Sequence, residues 1–393
     1  MSSLTSPTVL TLNANLDLAL MRALQPSRAD IASAEATIAA WNGYAPTPLA
    51  QPPALAAFCN VAAVALKLES ARFDIGSFKA VGPPYALQRA IERRLGDARR
   101  AEAVAVAATS GNHGRALAWG AKRLGARCHI VMPAHISPGR EAAIVALGAE
   151  VTRVRGNFDD ALAEAATIST RPGHMLIADL DDAASAAVAR DTLSGYSALA
   201  GEIVAQTADA PPTHVFIAAG NGSLAAAICH RLANDLTPVP KSISVEPCTS
   251  DAVRRSLAAG KITAAPGNAS VMDGLVTRAP SAIAWPMLRH GLAAGLAISD
   301  DWAVDILRAL ATGAFGDPAV EMGETGVAAV AGLIAAARDP GRRAELGIDA
   351  ASRLMAIVCE GVTDRAVFDN LIGDARTRQP AVPTNNETMG NMT

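Results

Sequence analysis

The sequence predicts an α/β protein with two domains, built on open, mostly parallel sheets with flanking helices. Two observations predict it. Short apolar runs of strand length alternate with helical patterns, and these runs are apolar on both faces, as in strands covered on both sides. Between about 100 and 180, strand-then-helix recurs at roughly 25-residue spacing, which reads as successive βα units. The 393 residues allow two sizeable cores.

The elements follow in order. A strand over Val64–Leu68 precedes a helix over Tyr85–Leu95, announced by Pro83 and Pro84, which suit a first helical turn. A strand over Ala103–Ala108 leads through Ser110-Gly111-Asn112-His113-Gly114 into a helix over Arg115–Leu124, closed by Gly125. A strand over Cys128–Met132 precedes a helix over Pro138–Leu147, closed by Gly148. Glu150–Val154 precedes a helix over Phe158–Ile168, and Met175–Ala178 follows. The strand Val215–Ala219 runs into Gly220-Asn221-Gly222-Ser223 and a helix over Leu224–Leu232. Ser242–Val245 and Leu354–Val358 read as further buried strands, and Arg376–Thr393 as a loose polar tail. This order predicts a large domain of 1–87 and 201–375 with a small domain, 88–200, inserted in it.

Composition removes several classes. Half the residues are hydrophobic and 18% are charged, a globular composition rather than a disordered one. Aromatics are only 4%, so Ala, Val, Leu and Ile must build the core. Net charge is −3, with Lys and Arg dispersed. Neither nucleic acid nor an anionic membrane surface is an expected partner. No apolar stretch reaches the ~20 residues of a membrane span. Residues 1–13 lack a basic segment followed by an apolar one, and the five cysteines lack metal-ligand spacing. A reduced, cytoplasmic setting is expected, with no metal; pairing among the cysteines stays open.

Lys79, within Gly76-Ser77-Phe78-Lys79, is the chemical landmark. A buried ammonium without a partner is costly. A lysine that forms a Schiff base with a cofactor escapes that cost. The loops at 110–114 and 220–223 each join a strand to a helix. Backbone N–H groups bared by glycine at a helix start suit one phosphate. Position 225 is Ala, so the dinucleotide pattern is incomplete, and no Gly-Lys-Ser/Thr follows. Together these point to pyridoxal 5′-phosphate. Singly each has a plainer reading: Lys79 as a surface lysine, Ser110 or Asn112 as a helix cap, His113 as a packed histidine, Asp191 as a cap or surface carboxylate, Glu321 and Glu324 as loop charges, Cys359 as a small core residue.

Taken in order, the motifs resemble the fold-type II pyridoxal phosphate enzymes (tryptophan synthase β-like), and within them the diaminopropionate ammonia-lyases. The resemblance covers roughly 41–373. It begins with Trp41-Asn42-Gly43-Tyr44-Ala45-Pro46-Thr47-Pro48-Leu49 and runs through Phe78-Lys79, Gly111-Asn112-His113-Gly114-Arg115 with Trp119, and Asp191-Thr192. It continues through 220–223, Val245-Glu246-Pro247, Gly323-Glu324-Thr325-Gly326 and Cys359-Glu360-Gly361. It implies that Lys79 links the cofactor and moves the α-proton, that Phe78 backs the ring, and that Asn112 bonds the 3′-oxygen. Gly220, Asn221, Gly222 and Ser223 would bind the phosphate. Cys359 would face the pyridine nitrogen, and Asp191 would lie near the substrate's distal amine as the catalytic acid for the leaving amine or hydroxyl. Ser110, Gly111 and His113 would meet the substrate, and a homodimer is implied.

Two departures stand out. Ser110 replaces the family's aspartate, the expected base for the D-isomer, and Pro83-Pro84 replaces small residues. Serine at this place is what serine and threonine dehydratases carry. The expected reaction is α,β-elimination of a small L-amino acid to a 2-oxo acid and ammonia. A thiol is a poor anion, which suits elimination better than transamination or racemisation. A serine, threonine or 3-hydroxyaspartate ammonia-lyase and a β-replacement synthase stay open as alternatives.

Overall fold

The structure is a computed structural model that describes residues 8–109, 111–178 and 185–373. Ser110 and the expected tail at 376–393 lie outside the described residues. Eleven strands are present among them: β1 (Val9–Leu12), β2 (Leu49–Ala50), β3 (Ala63–Leu68), β4 (Val104–Ala108), β5 (Arg127–Pro133), β6 (Glu150–Val154), β7 (His174–Leu176), β8 (His214–Ala218), β9 (Lys241–Pro247), β10 (Leu292–Ile298) and β11 (Arg353–Val358). They form two sheets. The larger has the order β1-β10-β9-β8-β11-β3-β2, and the smaller β6-β5-β4-β7.

Every pairing in the smaller sheet is parallel, and so are those of the larger sheet from β10 to β3. Only the edge strands β1 and β2 run antiparallel. β8 is buried at every residue, as are all of β4 and β11 beyond Arg353. That is why their sequences are uninterrupted apolar runs. The expected strands are all present, with ends shifted by a residue or two. β10 was not among the expected strands because Leu-Ala-Ala-Gly-Leu-Ala-Ile carries almost no β-branched residue; its pairing to β9 makes it a strand.

With few aromatics, the core depends on small residues in close approach. A Cβ at Gly332 would come within 2.6 Å of Val245 Cγ2, and one at Gly120 within 2.6 Å of Pro84 Cβ. Pro83 and Pro84 do occupy the first turn of a helix, Gly82–Arg94.

The expected domain borders fall inside two helices, Gly82–Arg94 and Ala186–Gln206. Tyr85, Leu193, Tyr196 and Leu199 pack in the core of the large sheet, whereas Leu87, Ile91 and Val188 pack in that of the small one. We propose the two sheets as the two domains, with these helices shared between them.

One buried charge cluster pins the segment before Lys79. Lys67, fully buried on β3, donates to Glu202 (2.6 Å), the Thr47 carbonyl (2.9 Å) and Gln206 (2.8 Å). Arg72 binds Glu69 through Nε and Nη2 (2.9 and 2.8 Å) and Glu202 through Nη1 and Nη2 (2.7 and 2.9 Å). Thr47 adds a hydroxyl to Glu69 (2.6 Å). Two cations thus face two carboxylates, with the remaining polar atoms hydrogen-bonded, as buried charges require. Glu202→Ala leaves Lys67 and Arg72 short of a counter-charge. We expect it to cost about 3–5 kcal/mol in a urea unfolding titration.

Candidate active site

Three adjacent parallel strands, β8, β11 and β3, deliver the central pieces from their C-terminal ends. β8 ends in the 220–223 loop, β11 in Cys359, and β3 in the turn that carries Lys79. Strand spacing puts β8 and β3 about 10 Å apart across β11. The C-terminal ends of such strands are where open α/β sheets place ligands.

The Lys79 turn is tied to β11 beyond the strand's end. Phe78 N–H donates to the Cys359 carbonyl (3.0 Å), and Gly361 N–H donates to the Gly76 carbonyl (2.9 Å). Ser77 and Glu360 form an antiparallel bridge between them. Ser77 Oγ caps the short turn Phe78–Ala80. Lys79 is half-buried, with Nζ 5.4 Å from the Phe78 ring centroid. Phe78 in turn packs on Tyr196 at 4.9 Å. Behind this turn Ile75, Ala80 and Ala116 are buried with Phe73 and Trp119 against them. Trp119 lies 4.8 Å from Phe73 and 5.8 Å from Trp41, an apolar wall behind the turn.

The 220–223 loop suits an anion. Gly222 has φ +85°, and a Cβ there would lie 2.5 Å from Leu288 Cδ1. Asn221 Oδ1 accepts Ser223 N–H (3.1 Å), and the Asn221 carbonyl accepts Ser281 N–H (2.8 Å). The loop opens the helix Ser223–Asp235, whose dipole favours negative charge at that end.

From the smaller sheet, β4 delivers Gly111 and the helix Asn112–Leu124. Gly111 N–H donates to Thr109 Oγ1 (3.0 Å), and a Cβ at Gly111 would lie 3.5 Å from Arg140 Cδ. Asn112 Nδ2 donates to Glu360 Oε2, which joins the two sheets. Arg140 makes a second junction, to Asp273 (2.7 Å) and Glu324 (3.0 Å), and Ser137 a third, to Asp364 (2.8 Å).

Two further expected residues have partners of their own. His113 is buried, with Nε2 2.7 Å from the Ile177 carbonyl, which tethers the helix start to the chain beyond β7. Asp191 pairs with Arg93 at 2.6 Å across the contact of helices Gly82–Arg94 and Ala186–Gln206. Burial raises its pKa and the Arg93 contact opposes that rise. Among the described residues it bonds to none of Lys79, Asn112 or the 220–223 loop. The sequence held no sign of this ion pair, because the two residues are 98 positions apart.

Cys359 is buried and donates to the Thr325 carbonyl (3.7 Å). Burial first, then the neighbouring Glu360, holds its thiol well above the usual range and so protonated.

Sequence reasoning passed over two carboxylates. Glu324, taken alone as a loop charge, is 3% exposed; Glu321 is the loop charge, paired with Arg365 at the surface. Glu360 is also 3% exposed. Its pKa is raised to about 7 by burial and then by Glu324, while Thr325 N–H and Arg140 oppose the rise. The signal that was available is the Glu-Gly pair directly after an apolar strand.

The described residues hold no cluster of potential metal ligands, no disulfide and no helix long and apolar enough to cross a membrane.

Known proteins match most of the chain. The family described as "Pyridoxal-phosphate dependent enzyme" matches residues 40–359. This chain belongs to that family. Diaminopropionate ammonia-lyase of Escherichia coli is 30% identical over 353 residues, covering 85% of this chain and 89% of the relative. L-threonine ammonia-lyase of Geobacter sulfurreducens is 26% identical over 184 residues, covering 47% of this chain and 43% of the relative. The crystal structure of the Escherichia coli diaminopropionate ammonia-lyase in complex with D-serine superposes with a TM-score of 0.86 at 26% identity, covering 95% of this chain and 99% of that one. The architecture is fold-type II, and the cofactor is pyridoxal phosphate.

Two measurements check the site. Gly222→Ala puts a side chain at positive φ and against Leu288. We expect a stability loss of roughly 1–2 kcal/mol from the backbone and weaker pyridoxal phosphate binding by equilibrium titration. Glu360 keeps its proton to higher pH in the folded state than in the unfolded one, where its ordinary value is 4.5. The folded state binds the extra proton between those values, so Glu360 makes stability fall as pH rises from about 4.5 through about 7. We expect Glu360→Gln to remove that part of the fall in a pH series of thermal melts.

Proposed function

We propose that this enzyme eliminates the β-amine of L-2,3-diaminopropionate, giving a 2-oxo acid and ammonia. The observation that carries the reaction class is the Cys359 thiol, buried and protonated beside the Lys79 turn. A neutral thiol opposite the ring nitrogen offers no negative charge to hold a proton there. β-Elimination tolerates this, because the leaving group carries the electron pair away.

The residues present fit the cofactor. Lys79 would hold it covalently, with Phe78 behind the ring. The 220–223 loop, bare at Gly222 and seated on a helix start, would take the phosphate. When bound, the cofactor supplies the sink for the electron pair left at Cα. Lys79 Nζ is the base that takes the α-proton, a role worth typically 10²–10⁴-fold. The turn that carries Lys79 is backed by Ile75, Ala80 and Ala116, with Phe73 and Trp119 packed on them. A β-ammonium leaves as neutral ammonia and brings its own proton, so the elimination itself needs no separate acid. That agrees with Asp191 pairing Arg93 rather than the Lys79 turn. The substrate follows the Escherichia coli relative. The homodimer and cytoplasmic setting that the resemblance implies belong to this proposal.

Ser110 favours a second reading, a hydroxyl amino acid such as L-serine or L-threonine, the substrate class in the name of the Geobacter sulfurreducens relative. A hydroxide leaving group does need a proton, which makes the two readings separable.

Ammonia and 2-oxo acid released from both enantiomers of diaminopropionate, L-serine and L-threonine decide between them. We expect turnover of L-diaminopropionate, almost none of the D-isomer, and a loss of about 10³-fold or more in Lys79→Ala. Ser110→Ala is expected to weaken L-substrate binding about 10–100-fold, as for loss of a hydrogen bond to a carboxylate. Faster release from L-serine or L-threonine supports the second reading. Little 2-oxo acid without an added thiol or amine points to a β-replacement enzyme.

A further inference from the structure

Glu360 is a buried carboxyl tied to the Lys79 turn, and the reaction as proposed makes no use of it. Its backbone forms the bridge to Ser77. Oε1 accepts Thr325 N–H at 3.1 Å, and Oε2 accepts Asn112 Nδ2. The 323–326 turn closes around it. A Cβ at Gly323 would come 2.6 Å from Oε1, and one at Gly326 2.2 Å from the Glu360 carbonyl oxygen. The side chain has no room to swing away. The charged and titratable groups around it are Glu324 in that turn, Arg140 on the helix Pro138–Val145, Arg115 on the helix Asn112–Leu124, and Cys359 next to it, with Lys79 in turn near Cys359. Arg140 is committed to Asp273 and Glu324. Glu360 makes no ion pair within bonding distance among the described residues; its side-chain oxygens are taken by Thr325 N–H and the amide of Asn112.

An amide presents N–H groups on one edge and a carbonyl oxygen on the other. A residue meant to donate to an oxygen must be kept from flipping. We propose that Glu360 is a positioning residue for the cofactor: it takes one N–H of Asn112 and so commits the other to the 3′-oxygen of the pyridoxal ring. A second acceptor that orients a ligating group in this way is how outer partners fix inner ones at metal sites, and the logic carries to any hydrogen-bonded cofactor. The inference rests on Asn112 meeting the ring, as carried over from the family resemblance, and not on which amino acid is turned over. Protonating Glu360 removes the negative charge that draws the Asn112 N–H and leaves only a neutral acceptor oxygen, a weaker hold on the amide. The hold on the ring is expected to loosen below about pH 7, where burial and Glu324 place this carboxyl's titration.

The test uses the full chain with pyridoxal phosphate and no amino acid. Dissociation constants and the circular dichroism of the bound cofactor are measured for wild type, Glu360→Ala, Glu360→Gln, Asn112→Ala and the Glu360→Ala/Asn112→Ala double variant. We expect Asn112→Ala and Glu360→Ala each to weaken binding about 10-fold, and the double variant to be no weaker than Asn112→Ala alone, because one residue acts through the other. Glu360→Gln keeps a neutral acceptor oxygen and is expected to bind more tightly than Glu360→Ala, at the level that wild type shows at pH 6. The ratio of dissociation constants at pH 6 and pH 8 is expected to be several-fold larger in wild type than in Glu360→Gln. Losses that add in the double variant, or Glu360→Ala binding as wild type does, overturn the proposal. Should Glu360→Ala not fold, equal pH ratios in wild type and Glu360→Gln overturn it. Asn112→Ala binding unchanged overturns both this proposal and the placement of Asn112 at the ring, and leaves the elimination chemistry standing.

Discussion

The site depends on a short antiparallel hitch between Gly76–Phe78 and Cys359–Gly361. β3 and β11 are parallel neighbours, so their C-terminal ends leave the sheet on the same side. The chain after β3 then turns back, and two backbone hydrogen bonds tie it to the chain after β11. That places a lysine, a neutral thiol and a buried carboxyl within one small volume. Backbone pairing sets their positions, and the side chains of Cys359 and Glu360 add bonds to the 323–326 turn.

Two further constraints make the hitch rigid. The cluster of Lys67, Glu69, Arg72 and Glu202 clamps the turn that leads into it, through contacts to the helix Ala186–Gln206. A buried ion cluster of this kind is weak evidence for stability, since desolvation offsets much of the attraction. It does hold the turn in one arrangement, because any alternative strands a charge. On the other side, the 323–326 turn fits around Glu360 only because positions 323 and 326 lack a Cβ. Close backbone approach replaces the bulky aromatics that this chain does not have.

The two halves meet near Lys79 through polar contacts as well as through the apolar packing of Trp119 on Phe73 and Trp41. Asn112 reaches Glu360, Arg140 reaches Asp273 and Glu324, and Ser137 reaches Asp364. Polar junctions around a cleft can be exchanged for contacts to a charged ligand at modest cost, whereas an apolar seam cannot. The helices Gly82–Arg94 and Ala186–Gln206 serve the cores of both sheets, so the halves are joined by continuous packed helices as well as by loops.

Much of the fold and part of the site are legible in the amino-acid sequence. Continuous apolar runs set the parallel strands, and glycines and prolines mark where they stop. Asn112, the 220–223 loop and Cys359 each follow the end of such a run, and Lys79 stands in its own Gly-Ser-Phe-Lys turn, so local pattern alone brings them to notice. β10 is not legible, because its residues have no strand preference of their own and it exists through its neighbours. The partners of Asp191 and His113 are not legible either; Arg93 and the Ile177 carbonyl are brought to them by helix packing and strand order. Glu324 and Glu360 show the same limit. A carboxylate in a turn looks solvated in sequence, and only the folding of that turn against β11 buries it. Sequence by itself determined the buried parallel strands other than β10 and where the chemical residues lie relative to them, because those follow from periodicity and turn chemistry over a few residues. Tertiary structure decided which charges are paired, which are buried and which residue holds which, because electrostatics depends on neighbours that are distant in the chain.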